Sequence, residues 1–241
     1  MTPSTHPLPE GEVHVWTTRL DEVDASAGGR TVLDAEERAR ADGMARPELT
    51  RRFTAGRAWT RRVLARYTGL HPADVRFAVN EFGKPSLDPD VGVCFNASHS
   101  GDLAVVAVAR LDVGVDIERV RELANFQGMA DRVLSAPERT VLDVLGEPEQ
   151  AEAFFDFWTR KEAFLKGVGT GIRSRLARLT TRPGAGELER VAWEEPTDDP
   201  EAWRVCGLTV PEGYRGAVAC RAAEWVVVSH PTAEEASRSG P

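Results

Sequence analysis

Cysteine and histidine are scarce in this sequence, and neither has the spacing of a metal site. The 241 residues include three cysteines, Cys94, Cys206 and Cys220, which are far apart and lie in strand-like contexts. Zinc ligands typically occur in closely spaced pairs, and the five histidines form no close pair along the chain. Because a free cysteine usually packs as a small hydrophobic residue, we predict three buried free thiols.

Long hydrophobic runs and excess positive charge are also lacking. The longest apolar run, residues 103–109, is far shorter than a bilayer span. Residues 1–10 have neither the cationic nor the apolar part of a signal peptide. The formal net charge is −8, which disfavours binding to nucleic acid phosphates or anionic membranes. These absences favour a cytoplasmic protein that binds neither nucleic acid nor a membrane.

The remaining composition is that of an ordinary globular protein, with 41% hydrophobic and 28% charged residues. Apolar alternation predicts strands, and 3.6-residue spacing predicts helices. The predicted order is a strand (12–18), helical segments from about residue 33 and over 48–67, four strands (76–80, 92–98, 103–110 and 113–118), helical segments over 125–145 and 149–166, an antiparallel sheet up to residue 229, and a flexible tail at 231–241. This mixture predicts an α+β fold.

A short internal repeat indicates two related halves. WTRR (59–62) and WTRK (158–161) each lie in a long predicted helix that is followed by strands. The expected stop signals are Gly69 for the first helix, and Gly167 with Gly169 for the second. A four-residue match can arise by chance, but the shared order of helix, stop and strands favours duplication. We divide the chain into residues 1–111 and 112–230.

Three carboxylates are the strongest candidates for metal ligands. Asp116 and Glu118 are two residues apart in a predicted strand, so they project from one face while Ile117 projects from the other. Mg²⁺ takes a few carboxylates and fills its other positions with water and substrate phosphate. Glu162, in the long helix, can complete the set. The alternative is that Asp116 and Glu118 belong to a solvated strand face.

The helix that carries Glu162 also carries Lys166 one turn later and Trp158 one turn earlier, all on one stripe. A metal-binding carboxylate and a phosphate-binding cation would then share one edge of the helix. The alternative is an ordinary surface ion pair, which adds a few tenths of a kcal/mol to stability.

Three other segments are ambiguous when each is taken alone. NASHSG (96–101) places His99 and small polar groups at a strand end, where they can hold a diphosphate or simply face solvent. Lys84 lies in the FGKP turn, where lysine is often surface decoration. The third segment is a cationic stretch of helix that contains Arg51, Arg52 and Arg57. The alternative is that these arginines only form salt bridges with the abundant acidic residues.

Together these segments resemble the Sfp-type 4′-phosphopantetheinyl transferases, specifically the subgroup with KEA in its last motif. The matching stretches, in family order, are FGKPSL, NASHSG, GVDIERV and WTRKEAFLKGVGTGI. The resemblance implies a monomeric pseudo-dimer of two similar α+β halves with the active site at their interface. It also implies transfer of 4′-phosphopantetheine from coenzyme A to a serine of an apo acyl or peptidyl carrier protein, with Mg²⁺ or Mn²⁺. The carrier can belong to polyketide, nonribosomal peptide or fatty acid biosynthesis, and the sequence does not rank these three.

The resemblance further implies roles for individual residues. The metal ligands are Asp116, Glu118 and Glu162. The catalytic residues are Lys166 beside the reacting phosphate, His99 at the diphosphate, and Glu162. Either Glu162 itself or a metal-linked water takes the serine proton. The coenzyme A contacts are Gly83, Lys84 and Pro85 at the adenine nucleotide, Ser98, His99 and Lys166 at the diphosphate, and Arg57, helped by Arg52, at the 3′-phosphate.

The sequence departs from the family pattern before Arg57. The segment DGMARPE (42–48) interrupts the basic stretch, which leaves Arg38 and Arg40 only as candidates for further 3′-phosphate contacts. Glu138 resembles a family carboxylate near the metal, but SAPE (135–138) also matches a capping box, in which serine and glutamate satisfy backbone donors. Both interpretations of Glu138 stay open, and it is left outside the assigned site.

Two other functions fit parts of the pattern. A metal-dependent nuclease also uses acidic residues near a glutamate and a lysine, but the acidic chain and the lack of aromatic-basic tracts disfavour it. A noncatalytic nucleotide-binding module would keep the fold without the reaction. The presence of both carboxylate motifs and Lys166 disfavours that module.

Overall fold

The computed structural model describes residues 5–169, 173–182, 187–193 and 202–230. The first half of the chain contains β1 (Glu12–Arg19), α1 (Ala27–Arg30), α2 (Ala35–Asp42), α3 (Pro47–Thr68), β2 (Phe77–Val79), β3 (Pro85–Leu87), β4 (Cys94–Ser100) and β5 (Leu103–Ala109). The second half contains β6 (Val113–Arg119), α4 (Phe126–Val133), α5 (Ala136–Asp143), α6 (Glu147–Val168), β7 (Leu179–Thr180), β8 (Glu189–Arg190), β9 (Ala192–Trp193), β10 (Arg204–Gly207), β11 (Tyr214–Cys220) and β12 (Val226–His230). Short 3₁₀ turns occupy Pro72–Asp74 and Arg173–Arg178. The predicted tail at 231–241 lies outside the described residues.

The two long helices, α3 and α6, carry the same kinds of signal at their two ends. Each has proline in its first turn, where the missing N–H costs little because that donor has no helical partner. Gly69 (φ 70°) and Gly169 (φ 71°) follow the last residues, and each donates its N–H to a carbonyl four residues earlier. These two predicted stops are confirmed, whereas α6 continues through Gly167.

Four layers stack in the order α3, first sheet, second sheet, α6. The first sheet has the strand order β12-β1-β5-β4, and the second has β6-β11-β10-β8. In β5, Val105 and Ala107 pack toward the second sheet, whereas Val106 and Val108 pack toward α3. Both faces of β5 are therefore covered by apolar layers, which explains why its hydrophobic residues run continuously.

The predicted pair of similar α+β halves is confirmed, because each sheet carries one long helix on its outer face. The internal repeat has a structural counterpart. Thr60 and Arg61 of α3 are buried, and so are Thr159 and Arg160 of α6. A buried arginine needs acidic partners to offset its desolvation. Those partners are Asp34 and Glu37 for Arg61, and Asp156 and Glu189 for Arg160.

Two features differ from the sequence-based description. β12 pairs in parallel with β1, with His230 opposite Trp16, so the segment 112–230 returns its last strand to the first sheet. The second is β3, which the sequence analysis did not predict as a strand; it is short and contains Pro85, which cannot donate to a strand ladder. It pairs with β2 across the FGKP turn. In the described ranges, no helix is both long and apolar enough to cross a membrane.

Candidate active site

The last turns of α6 lie very close to β6. A methyl group added at Gly114 would lie 2.0 Å from the Ala163 carbonyl oxygen and 2.2 Å from the Gly167 nitrogen. Both distances are far inside van der Waals contact, so glycine is needed for this approach. The approach brings Lys166 of α6 against Asp116 of β6.

Asp116 is the buried centre of the site. Its Oδ1 accepts hydrogen bonds from Lys166 Nζ at 2.6 Å and from Ser98 Oγ at 2.8 Å. Its Oδ2 is buried without a hydrogen-bond partner among the described residues. Burial raises the pKa of Asp116, while the Lys166 cation and the Ser98 hydroxyl oppose that rise. Because an unpaired buried carboxylate oxygen is costly, this position suits a further ligand.

A line of polar contacts, called the polar seam here, joins β4 of the first sheet to β6 of the second. Ser98 donates to Asp116, and Ser100 Oγ donates to Glu118 Oε2 at 2.7 Å. Asn96 Oδ1 accepts a backbone N–H of β6 at 3.0 Å. The three β4 residues alternate and so share one face. Asp116 and Glu118 both bond to that face, which confirms that they project from the same side of their strand.

A cleft of about 250 Å³ separates the FGKP turn from α6. The turn is anchored to the end of the helix, because Lys84 Nζ donates to the Gly167 carbonyl and Asn80 Nδ2 donates to the Gly169 carbonyl at 3.0 Å. Lys84 also bonds to Asp112 Oδ1 at 3.2 Å. The structure thus brings together five residues of the predicted site in the cleft lining, namely Gly83, Lys84, Pro85, Glu162 and Lys166.

His99 does not line this cleft. Successive residues of β4 project to opposite faces, so the His99 side chain lies on the other face from Ser98, where it is exposed. Partial desolvation lowers the pKa of His99, Lys166 and Arg52 lower it further, and Glu118 opposes the shift. The imidazole is therefore mostly neutral at neutral pH, and it lies within electrostatic reach of Lys166.

The two arginines expected at the 3′-phosphate are already paired with acids, which was the alternative role for this segment. Arg57 Nε donates to Glu37 Oε1 at 2.5 Å, and Arg52 Nε donates to Asp102 Oδ1 at 3.1 Å. Neither arginine lines the cleft. The further candidates are engaged as well: Arg38 donates to the Leu33 carbonyl, and Arg40 lies 5.2 Å from the centre of the Phe53 ring.

Glu138 serves the fold as a helix cap and a buried ion pair. It is 2% exposed, and its Oε2 accepts the backbone N–H of Ser135 at 2.8 Å. Oε2 also lies 2.5 Å from Lys161 Nζ, while Oε1 accepts the backbone N–H of Thr181 at 2.8 Å. These contacts confirm the cap interpretation of Glu138.

Lys161 is an important residue to which the sequence analysis gave no role. It is 0% exposed, and its Nζ donates to the carbonyls of Val133 at 2.6 Å and Leu176 at 2.9 Å. Its position on α6 was the available signal, because it lies on the same helical stripe as Phe157 and Phe164, both of which are buried in the core.

The three predicted metal ligands are not preassembled. No close group of potential ligand atoms in the described ranges contains Asp116, Glu118 or Glu162. The near neighbour of Asp116 is the Lys166 cation, and Glu118 pairs with Arg121 at 3.2 Å. The unpaired Oδ2 of Asp116 and the position of Glu162 on the cleft nevertheless fit a hard divalent cation, which prefers oxygen ligands.

Comparison with known proteins assigns both parts of the chain. A family model described as the 4′-phosphopantetheinyl transferase superfamily matches residues 112–219, and one described as 4′-phosphopantetheinyl transferase, N-terminal, matches residues 16–111. The 4′-phosphopantetheinyl transferase HetI of Nostoc sp. is 37% identical over 75% of this chain and 83% of its own length.

Two relatives from Bacillus subtilis extend this similarity. The 4′-phosphopantetheinyl transferase ffp is 31% identical over 77% of this chain and 81% of its own length. The 4′-phosphopantetheinyl transferase Sfp of strain 168 is 29% identical over 62% of this chain and 66% of its own length. The matched ranges and these identities show that the chain belongs to the 4′-phosphopantetheinyl transferase superfamily.

Proposed function

We propose that this chain transfers 4′-phosphopantetheine from coenzyme A to a serine hydroxyl of an apo acyl or peptidyl carrier protein, releasing adenosine 3′,5′-bisphosphate. The observation that carries the proposal is the contact of Lys166 with Asp116 and Ser98 beside the cleft between the FGKP turn and α6. A site that cleaves a diphosphate needs positive charge, a group that holds a metal, and a polar cleft. The Lys166 cation, the unpaired oxygen of Asp116 and the cleft support such a site here.

Asp116, Glu118 and Glu162 are the proposed metal ligands. Mg²⁺, or Mn²⁺ in its place, would neutralise the charge of the diphosphate and polarise the phosphorus under attack. The contacts of Asp116 support this role, because Ser98 and Lys166 bond to Oδ1 and Oδ2 has no hydrogen-bond partner among the described residues.

The chain supplies the remaining chemistry through three side chains. When the substrate binds, Lys166 would give up its hydrogen bond to Asp116. It would then donate to the oxygen that leaves with the adenosine bisphosphate. Glu162 lies one turn earlier on the same cleft and is the proposed base for the serine proton. His99, which is mostly neutral, would donate a hydrogen bond to the diphosphate from the other face of β4.

The nucleotide end of coenzyme A is proposed to lie against Gly83, Lys84 and Pro85, which line the cleft. Arg57, helped by Arg52, would bind the 3′-phosphate. Because Arg57 already pairs with Glu37, this binding is an exchange of one anion for another. A phosphate dianion competes well in such an exchange, since arginine binds it through charge-assisted hydrogen bonds.

The proposed protein partner is an acidic carrier domain. A chain with a net charge of −8 must therefore present a locally apolar or basic face to that partner. We propose a monomer, because residues from both halves of one chain, 1–111 and 112–230, already line the cleft.

The test is incubation of the full chain with coenzyme A, Mg²⁺ and several apo carrier proteins, followed by intact mass measurement. We expect at least one carrier to gain the mass of one phosphopantetheine arm. Glu162→Gln should abolish the gain. Glu152→Gln, at an exposed position of the same helix where the carboxylate pairs with Arg215, is the matched control and should keep it.

The rivals predict different results in the same experiment. Coenzyme A binding without a mass gain on any carrier would refute transfer and support a noncatalytic binding module. Mg²⁺-dependent cleavage of added nucleic acid, lost in Glu162→Gln, would support a nuclease.

A further inference from the structure

Three histidines that are far apart in the sequence converge at the edge of the first sheet. His14 lies on β1, His230 is the last residue of β12, and His6 precedes β1. Their ligand atoms all lie within 4.8 Å of one another, and the described part of the chain holds no other group of metal-binding side chains this close. We call these residues the histidine cluster.

The three rings lie close together without stacking on one another. Their centroids are 4.8–5.4 Å apart, and no two of the rings are stacked, since the angles between their planes are 54° to 76°. Each ring also offers one nitrogen to a group of ligand atoms that lie within 4.8 Å of one another. The arrangement therefore resembles a ligand set more than a stack of core aromatic rings.

Neighbouring side chains fix the orientation of two of the rings. The Tyr67 hydroxyl lies 2.8 Å from His14 Nδ1 and also accepts a hydrogen bond from Trp16 Nε1 at 2.7 Å. His230 stacks on Trp16 at 4.1 Å. Histidines that bind metals are typically held by a hydrogen bond to the outer ring nitrogen. This arrangement leaves His14 Nε2, which faces Glu12 Oε2 at 2.9 Å, as the ligand atom.

One ring nitrogen of the cluster has unused bonding capacity. His230 Nε2 is buried and has no hydrogen-bond partner among the described residues, which is costly for a polar atom. Burial first, and then His14, His6 and Arg66, lower the pKa of His230 to about 4. The same kinds of cause lower the pKa of His6. The buried nitrogen of His230 without a partner therefore suits a bound ligand.

We propose that the histidine cluster is a binding site for a divalent transition metal, with Zn²⁺ as the expected ion and Glu12 as the fourth ligand. Imidazole nitrogen suits Zn²⁺, Cu²⁺ and Ni²⁺, whereas Mg²⁺ prefers oxygen. The Arg66 guanidinium, 4.8 Å from the centre of the Trp16 ring, repels a cation, and the Glu12 carboxylate offsets that charge.

The geometry needs only a small adjustment to bind the ion. In a tetrahedral zinc site with bonds of about 2.1 Å, ligand atoms are about 3.4 Å apart. The cluster, with atoms up to 4.8 Å apart, must therefore contract by up to about 1.4 Å. His6, which lies outside any helix or strand, is the ligand best placed to move.

This site is separate from the proposed catalytic centre. β5 lies between β1 and β4 in the first sheet, so the cluster is remote from the polar seam. A metal bound here would join the segment before β1 to β12, the strand that returns the end of the chain to the first sheet. Its expected effect is therefore on the stability of the fold.

The test is calorimetric titration of the full chain, without a polyhistidine tag and freed of metal by a chelator, with Zn²⁺ in millimolar Mg²⁺. The excess Mg²⁺ occupies carboxylate sites, so that they do not bind the added Zn²⁺. We expect one Zn²⁺ per chain with a micromolar or lower dissociation constant. Co²⁺ in place of Zn²⁺ should give the intense visible absorption of a tetrahedral site. Absence of one-to-one binding would overturn the proposal.

Two substitutions decide whether the cluster holds the ion. His6→Asn and His230→Asn should each weaken Zn²⁺ binding by about 100-fold or more, since second-shell losses alone cost about 10–100-fold. His71→Asn, at an exposed position outside the cluster, is the matched control.

Thermal melting gives a second measurement of the same site. Zn²⁺ should raise the melting temperature of the unsubstituted chain and of His71→Asn, but not that of His6→Asn. If His230→Asn does not fold, His6→Asn alone decides, because that half-buried residue lies outside the helices and strands. Unchanged Zn²⁺ affinity in His6→Asn, or loss of binding in Asp116→Asn, would place the ion elsewhere and refute the site.

Discussion

Replacement of Lys161 by methionine tests how the buried ion pair of α6 supports the fold. Methionine is unbranched and similar in length, so the change mainly removes the charge and the donors. The ammonium group now lies 2.5 Å from Glu138 Oε2 and bonds to two backbone carbonyls. Burial lowers the pKa of Lys161, and the Glu138 carboxylate opposes that shift.

The size of the effect follows from the burial of both partners. Lys161 is 0% exposed and Glu138 is 2% exposed, so the substitution leaves a carboxylate buried without its cation. Breaking one side of such a pair costs about 3–5 kcal/mol. The double variant Lys161→Met with Glu138→Gln removes both charges, and it should show a coupling energy of about 1–3 kcal/mol between the sites.

Urea unfolding followed by circular dichroism measures these free energies. Glu152→Gln breaks a partly exposed pair with Arg215 and is the control, with an expected change below about 1 kcal/mol. A loss below about 1 kcal/mol for Lys161→Met, or no coupling in the double variant, would show that the ion pair does not hold α6 against α5.

Three further predictions follow from the same structure. Gly114→Ala should destabilise the protein by about 3 kcal/mol in urea unfolding, because the new methyl group would lie 2.0 Å from the Ala163 carbonyl oxygen. Gly43→Ala is the control, because the nearest atom to its new methyl group lies at 3.5 Å, and its free energy of unfolding should change little. Cys220 should resist iodoacetamide at pH 8 in the folded protein, because burial raises its pKa to about 12 and leaves roughly one thiol in ten thousand ionised. Mass spectrometry that finds Cys220 alkylated before unfolding would contradict this prediction. Arg57→Met should raise the KM for coenzyme A by about 10-fold or more, since a charge-assisted hydrogen bond contributes about 1.5–3 kcal/mol. The KM for 3′-dephospho-coenzyme A should stay unchanged. Equal effects on both substrates would exclude a 3′-phosphate contact.

Much of the fold could be predicted because it depends on local signals. Apolar spacing defined α3 and α6, and glycine in the left-handed conformation ended them at Gly69 and Gly169. Strand alternation placed Asp116 and Glu118 on one face. β3 was missed because three residues that include Pro85 carry too weak a periodic signal. The predicted free thiols are confirmed, although Cys94 is only half-buried.

Residue types and motif order predicted most residues of the candidate site, but they did not predict which charged side chains already have a partner. Gly83, Lys84, Pro85, Glu162 and Lys166 do line one cleft. The pairing of Arg57 with Glu37 was not visible in the sequence, because it depends on how α2 packs against α3.

Local sequence thus determined the long helices, most of the strands, the shared face of two carboxylates and the family to which the chain belongs. Only the tertiary structure decided which distant groups meet. It buried Lys161 against Glu138, left one oxygen of Asp116 unpaired, and brought His6, His14 and His230 together. The physical reason is that periodicity reports on neighbours within a few residues, whereas contacts made by a returning strand such as β12 depend on how whole layers pack.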